Sequence, residues 1–151
     1  MASPTTRQPL AKQTAASAPL ASGREVLCVE DDPRVRNMLA QALKEMGFPA
    51  TFAASAEVGL KALADRAFDI LIFDLNLPGI SGMEFLERVR RQGNDVPAIV
   101  LTGFGDLDAA RKAIHLDVVE FLTKPCALGS LEQALAKARR RRKDQVVDAA
   151  A

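Results

Sequence analysis

Short runs rich in β-branched and aliphatic residues alternate along the chain with segments whose apolar residues recur at helical spacing. The five runs lie at residues 25–29 (EVLCV), 49–53 (PATFA), 68–74 (FDILIFD), 97–102 (PAIVLT) and 118–123 (VVEFLT). Repeated strand–helix units favour a parallel sheet covered by helices on both faces and joined by right-handed crossovers. We therefore predict an α/β fold with one doubly wound five-stranded parallel sheet, order 2-1-3-4-5, flanked by five helices.

The helical segments begin at residues that favour helix starts. Pro33 suits a first turn, because an amide at that position has no partner within the helix. Ser55 and Ser81 each precede a helical pattern, and a serine hydroxyl there can accept a hydrogen bond from a first-turn amide. The fourth helix is predicted to begin near Asp106, and the fifth to run from residue 130 to about residue 143.

The chain has the length and composition of one globular domain, with 151 residues, 48% hydrophobic residues and a net charge of +1. Its apolar runs are far too short to cross a bilayer. Residues 1–23 lack apolar periodicity and are predicted to be disordered. We place the folded domain at residues 24–142, and residues 143–151 form a tail or the start of a linker.

The two cysteines are predicted to be free thiols. Cys28 lies in the first apolar run, and Cys126 follows a Lys-Pro pair in a predicted loop. Free thiols are typical of a reducing compartment, so we expect a cytoplasmic location.

Polar side chains follow four of the predicted strands. Glu30 and Asp31 come directly after the first, Asp74 ends the third, Thr102 ends the fourth and Lys124 comes directly after the fifth. Active sites of open α/β sheets lie at the carboxyl ends of the strands, so these groups should gather at one edge. Clustered carboxylates repel one another unless a cation such as Mg²⁺ binds them, and a lysine suits a phosphate oxygen. Together they indicate phosphoryl chemistry with an aspartate as the nucleophile.

Taken singly, each of these residues has an ordinary structural explanation. Asp31 or the neighbouring Asp32 could cap the next helix, and Asp74 could cap the turn after it. Thr102 could be a plain strand-end hydroxyl and Lys124 a solvated lysine. Polar groups at four strand ends on one edge make a shared site the better explanation.

Four segments, read in order and spacing, resemble the receiver domain of two-component response regulators. They are VEDDP at 29–33, DLNLPGISGMEFL at 74–86, LTGFGD at 101–106 and EFLTKP at 120–125. The resemblance covers about residues 24–142 and implies the CheY-like version of the flavodoxin-like fold. It also implies a place in a phosphorelay.

The resemblance implies roles for the acidic residues. Asp74 is similar to the phosphoacceptor, and Glu30 and Asp31 to the acidic pair that binds Mg²⁺, with Asp31 the direct ligand. Asn76 stands where the family offers a backbone carbonyl to the metal. Asp32 lies one residue beyond the acidic pair, so we interpret it as a helix cap or a supporting group.

Further roles follow from the same resemblance. Thr102 is similar to the switch hydroxyl, Phe121 to the switch aromatic residue and Lys124 to the lysine that contacts the phosphate. The Lys124–Pro125 bond is expected to be cis, which X-Pro bonds adopt more readily than others. Phe121 could instead be an ordinary core residue.

Two positions depart from the family pattern. Asp117 stands where receivers commonly have glycine before the fifth strand, and Cys126 where an apolar aromatic residue often follows the proline. Both lie near the face formed by the fourth helix, fifth strand and fifth helix. They bear on the choice of partner and not on the chemistry.

A receiver takes its phosphoryl group from a histidine kinase or phosphotransfer protein and is no enzyme beyond its own phosphorylation and dephosphorylation. The face named above would then control an output domain or partner beyond residue 151, and we also consider a homodimer. The basic run at residue 137 and residues 139–143 indicates a solvated helix end, so we expect no direct nucleic-acid or membrane binding.

Other classes fit less well. A flavodoxin-type nucleotide binder needs a phosphate loop after its first strand, where this chain has acids. A haloacid-dehalogenase-type phosphatase has a second acid two residues after its nucleophile, where this chain has Asn76. A phosphorylation-independent interaction module would not need the complete set of site residues.

Overall fold

The computed structural model describes residues 23–103 and 115–150, together with Asp108 and Arg111. Five strands and four helices have bounds within these residues. They are β1 (Val26–Val29), α1 (Pro33–Glu45), β2 (Ala50–Ala53), α2 (Ala56–Asp65), β3 (Ile70–Asp74), α3 (Gly82–Arg91), β4 (Ala98–Thr102), β5 (Val118–Thr123) and α4 (Leu128–Ala150).

The strands form one parallel sheet in the order β2-β1-β3-β4-β5, which confirms the predicted fold class. Every residue of β1 and β3 is buried, because both strands lie inside the sheet and are covered on both faces. Since the strands are parallel, all their carboxyl ends lie at the same edge of the sheet. That edge is called the carboxyl edge below.

The core has two parts, one on each face of the sheet. Alternate residues of β3 divide between them: Leu71 and Phe73 belong to one cluster, and Ile70 and Ile72 to the other. The first cluster also contains apolar residues of α2 and α3, and the second contains those of α1 and α4. The sheet is therefore a fixed support between two helical layers.

The helix starts agree with the sequence prediction. The side chains of Asp32, Ser55 and Ser81 each accept a hydrogen bond from a first-turn amide, at 2.8, 3.2 and 3.2 Å. Asp32 is therefore the N-cap of α1, the first of the two roles predicted for it. Pro33 occupies the first turn, as predicted.

Two of the predicted helices differ from the helices that the structure describes. The helix predicted to begin near Asp106 falls largely outside the described residues, although the two described there, Asp108 and Arg111, are helical. Four helices therefore have bounds within the described residues, where five were predicted. The last helix is longer than predicted, since it begins at Leu128 and ends at Ala150 instead of covering residues 130–143. The continuation has contacts of its own: Gln145 Nε2 donates to the Asp95 carbonyl at 2.8 Å.

The sequence predicted that the basic run on α4 is a solvated helix end, but several of its side chains contact the rest of the domain. Lys137 pairs with Glu120 on β5, and Arg141 Nη1 lies 2.6 Å from Asp117 Oδ1. Arg142 donates to the Phe68 carbonyl at 2.9 Å. These basic residues attach α4 to the body of the domain, a role that periodicity cannot reveal because their partners are distant in sequence.

Asp117 has a φ of +61°, the left-handed conformation that favours glycine. This is the position at which the resemblance predicts glycine, and aspartate tolerates the conformation better than most residues. The Asp117 carbonyl accepts a hydrogen bond from Arg90 Nη2 at 3.2 Å, and its carboxylate accepts one from Arg141. The departure from the family pattern thus supplies a link between β5 and α4.

Cys28 is buried in β1 and Cys126 is half-buried, and both are free thiols. Burial raises the pKa of each thiol. Among the helices that the structure describes, none combines the length and apolar content that a bilayer crossing requires.

We predict that Arg142→Ala lowers the free energy of unfolding by about 1–3 kcal/mol, because it leaves the buried Asp69 carboxylate without its guanidinium neighbour. Arg142 Nε lies 3.8 Å from Asp69 Oδ1, and the Arg142 side chain is only 22% exposed. Urea unfolding followed by circular dichroism measures the change. Arg140→Ala, the same substitution on the exposed side of α4, is the control. Equal effects of the two substitutions would contradict the role of Arg142 in attaching α4 to the body of the domain.

Candidate functional site

Three carboxylates meet at the carboxyl edge of the sheet. Glu30 directly follows β1, Asp31 comes next, and Asp74 is the last residue of β3. Each offers a carboxylate oxygen, and these oxygens lie within 4.8 Å of one another. Glu30 and Asp74 are buried, whereas Asp31 is exposed. A compact set of carboxylate oxygens with one side open to solvent fits the ligands that Mg²⁺ prefers.

The sheet register brings these acids together. β1 and β3 are hydrogen-bonded neighbours in which Val29 pairs with Phe73, so the residues that follow lie side by side. Separate contacts fix the two buried carboxylates: Glu30 Oε2 accepts from the Asp32 amide at 3.0 Å, and Asp74 Oδ1 from the Asn76 amide at 2.9 Å. Backbone geometry therefore fixes where both acids point.

Lys124 supplies a cation to the same cluster. Its Nζ lies 2.6 Å from Asp74 Oδ2 and 3.2 Å from Glu30 Oε1. The side chain reaches the acids from the loop after β5, where the Lys124 amide donates to the Thr102 carbonyl at 2.9 Å. Both side-chain contacts are charge-assisted hydrogen bonds in a largely buried setting, which makes them strong.

Burial and charge shift the pKa values of this cluster. Burial raises the pKa of Glu30 and the negative charge of Asp74 adds to this, while the Asp32 amide and Lys124 act in the opposite direction. Burial alone would lower the pKa of Lys124, but its hydrogen bonds and charge interactions with Asp74 and Glu30 raise it overall. Lys124 is therefore cationic at neutral pH, and its positive charge favours the ionised form of the buried Glu30 carboxylate.

Gly82 allows helix α3 to approach the loop after Asp74. A Cβ atom on Gly82 would lie 2.4 Å from the Asp74 carbonyl oxygen and 2.6 Å from the Leu75 Cα, distances that atoms in proteins do not adopt. The Gly82 amide instead donates to the Leu75 carbonyl at 2.9 Å. The helix start thus braces the loop from behind.

Arg36 on α1 was missed by the sequence analysis. Its Nη1 donates to the carbonyl of Glu30 at 2.8 Å and to that of Asp31 at 3.0 Å. A signal was present in the sequence, since a basic residue in the first turn of a helix opposes the helix dipole and calls for another explanation.

The predicted switch residues are placed as follows. The Thr102 hydroxyl, at the end of β4, donates to the Gly103 carbonyl at 3.1 Å. Phe121 on β5 is half-buried and packs against the core cluster shared with α2 and α3. The Lys124–Pro125 peptide is cis, as predicted. The structure thus brings Glu30, Asp31, Asp74 and Lys124 together.

Comparisons with known proteins agree with this geometry. Residues 26–136 match the family model described as response regulator receiver domain. The chain is 34% identical over 100 residues to the transcriptional regulatory protein FixJ of Bradyrhizobium diazoefficiens, which covers 66% of this chain and 49% of FixJ. It is 30% identical over 128 residues to the response regulator protein PilR of Pseudomonas aeruginosa, which covers 85% of this chain and 29% of PilR.

A solved structure is also similar. The response regulator receiver domain protein from Clostridium thermocellum superposes with a TM-score of 0.75 at 29% identity, over 79% of this chain and 96% of that one. The chain spans about half the length of FixJ and less than a third of PilR. The similarity therefore concerns one domain of those longer relatives.

We predict that Lys124→Met makes the protein bind Mg²⁺ about tenfold more tightly, or ~1.4 kcal/mol, because it removes a cation from the carboxylate oxygens that the metal needs. Isothermal titration calorimetry without a phosphodonor measures the affinity. Lys137→Met removes the same charge from α4, where Lys137 pairs with Glu120 of β5, and should leave the Mg²⁺ affinity unchanged. Unchanged or weaker binding by Lys124→Met would show that the lysine does not compete with the metal.

We predict that Gly82→Ala lowers the free energy of unfolding by about 1–3 kcal/mol, because the new methyl group overlaps the Asp74–Leu75 backbone. Gly129→Ala is the control, since a Cβ at that helical position has open space. It should stabilise the protein by up to about 1 kcal/mol through helix propensity. Urea midpoints compare the two, and a tolerated Gly82→Ala would show that the loop can retreat from α3.

Proposed function

This chain belongs to the family of response regulator receiver domains, and from that membership we propose that Asp74 is its phosphoacceptor. In the proposed step an oxygen of the Asp74 carboxylate attacks the phosphorus of a phosphohistidine on a histidine kinase or phosphotransfer protein. The new O–P bond gives an acyl phosphate, the N–P bond breaks, and the leaving imidazole keeps the electron pair and takes up a proton.

The observation that carries this proposal is the setting of the Asp74 carboxylate. It is buried at a strand end, with one oxygen held by the Asn76 amide and the other by Lys124 Nζ. A carboxylate fixed in this way keeps its orientation without rearrangement, and catalysis of phosphoryl transfer depends chiefly on positioning and charge.

Glu30, Asp31 and Asp74 would hold Mg²⁺, together with the backbone carbonyl of Asn76. Bound Mg²⁺ would offset the negative charge of the acids and of the incoming phosphoryl group. Lys124 would donate to an oxygen of the new phosphate. Burial of Glu30 keeps water from one side of the site, so the charge of each donor is weakly screened.

Thr102 and Phe121 are proposed as the switch residues. The Thr102 hydroxyl now donates to the Gly103 carbonyl, and it would turn to donate to the phosphate. The half-buried Phe121 would then turn inward. These local changes would alter the face formed by the predicted fourth helix, β5 and α4, as a charge event that biases a two-state element.

The domain is regulatory, and we propose that its only catalysis is its own phosphorylation and dephosphorylation. Its longer relatives include named transcriptional regulators, so an output domain or partner protein beyond residue 151 is the proposed target of the switch. A homodimer is a second mode of output. We infer a cytoplasmic location, where a kinase and a reducing environment are both available.

A phosphatase of the haloacid-dehalogenase type is disfavoured by Asn76. Asn76 occupies the position of the second acid, and its backbone N–H donates a hydrogen bond to Asp74. A phosphorylation-independent binding module would not require a buried, repelling pair of carboxylates. The receiver function accounts for both features.

We predict that a small phosphodonor with Mg²⁺ adds one phosphoryl group to the protein and that Asp74→Asn abolishes the addition, because the amide is not a nucleophile. Mass spectrometry of the intact protein measures it. Asp69→Asn makes the same substitution at the residue just before β3 begins, away from the carboxyl edge, and should still be labelled. Labelling of Asp74→Asn to the wild-type extent would refute the assignment.

A further inference from the structure

Arg36 hydrogen-bonds to main-chain carbonyls, and not to carboxylates, in the segment at residues 30–32, called the acidic loop below. A single nitrogen, Nη1, donates to the Glu30 carbonyl at 2.8 Å and to the Asp31 carbonyl at 3.0 Å. We propose that Arg36 is a positioning residue, which holds these two peptide groups so that the Glu30 and Asp31 carboxylates are preorganised for a divalent cation. This inference rests on the metal site of the proposed function.

The location of Arg36 indicates that it has a specific role. It lies in the first turn of α1, where the helix dipole disfavours a positive charge. Arg34, in the same turn, has 91% of its side chain exposed, and an ion pair with the Asp32 cap offsets its unfavourable interaction with the helix dipole. Arg36 is half-buried and turns to main-chain carbonyls at the strand end instead.

The two carbonyls determine where the acids point. The orientation of the peptide groups at residues 30 and 31 sets the Cα–Cβ directions of both side chains. Glu30 is also held by the Asp32 amide and by Lys124, whereas Asp31 is exposed. Fixing the backbone at Asp31 therefore limits the freedom of the least confined acid, and this lowers the entropy that metal binding must remove.

Arg36 and Lys124 contact different kinds of oxygen atom in the site. Lys124 occupies carboxylate oxygens of Asp74 and Glu30, so a metal must compete with it. Arg36 takes only carbonyl oxygens of the acidic loop and leaves the carboxylates available. The two cations should therefore have opposite effects on metal affinity, although removal of either lowers the positive charge near the site.

The test is the Mg²⁺ affinity of Arg36→Met, measured by calorimetry without a phosphodonor. We expect binding about tenfold weaker than wild type, the loss typical when a group that orients metal ligands is removed. A purely electrostatic role predicts the opposite sign, because losing a positive charge near the carboxylates would strengthen Mg²⁺ binding. The direction of the change thus separates the two explanations.

Two further variants complete the test. Arg36→Lys should restore most of the affinity, since one ammonium can donate to both carbonyls as Nη1 does. Arg34→Met removes the same charge from the same helical turn and should not weaken binding. Weaker binding by Arg36→Met that Arg36→Lys does not restore, or equal loss in Arg34→Met, would overturn the positioning role. Circular dichroism confirms that the variants compared are folded.

Failure of this inference is distinguishable from failure of the proposed function. If wild type binds Mg²⁺ and is phosphorylated while Arg36→Met binds as well or better, only the role of Arg36 is overturned. If wild type neither binds Mg²⁺ nor accepts a phosphoryl group, the proposed function fails and the positioning role fails with it.

Discussion

The structure around the site depends on two buried carboxylates that the sheet forces together. Glu30 follows β1 and Asp74 ends β3, and the pairing of these strands places the two acids side by side in the interior. Burial removes hydration from each carboxylate, and the neighbouring charge adds repulsion. The ammonium of Lys124 and the amides of Asp32 and Asn76 all offset that cost.

A separate polar network holds the opposite edge of the sheet. Arg142 lies beside Asp69 and the Phe68 carbonyl, just before β3 begins. Arg90 donates to the Val96 carbonyl ahead of β4 and to the Leu116 carbonyl ahead of β5. Since β3 and β4 are short and almost entirely buried, anchoring their starts also helps to fix their ends. The strands thus carry stabilising contacts at one end and the proposed chemistry at the other.

Most of the fold could be predicted because its signals are local. The five apolar runs, the caps at Ser55 and Ser81 and the proline of α1 each act over a few residues, and crossover handedness limits the topology. The end of α4 could not be predicted, because residues 142 and 145 are held by partners near residues 68 and 95. Local propensity carries no information about such distant contacts.

The site divides in the same way. That the acids and Lys124 lie close together could be predicted, because the carboxyl ends of parallel strands share an edge. Arg36 acts through main-chain carbonyls, which every residue has, so no partner residue type marks its role in the sequence. The hydrogen bond from the Lys124 backbone amide to the Thr102 carbonyl could not be predicted for the same reason.

Lys124 connects the charge at Asp74 to the part of the sheet that would respond. Its ammonium now bonds to the Asp74 carboxylate, while its amide bonds to the end of β4 through the Thr102 carbonyl. A phosphoryl group on Asp74 would carry the negative charge outward to the phosphate oxygens, and the best position for the ammonium would move with it. Because Thr102 ends β4 and Phe121 lies on β5, this displacement would act first on the two strands that bear the proposed switch residues. Under the proposed function, relocation of this one charge would be the event that biases the switch.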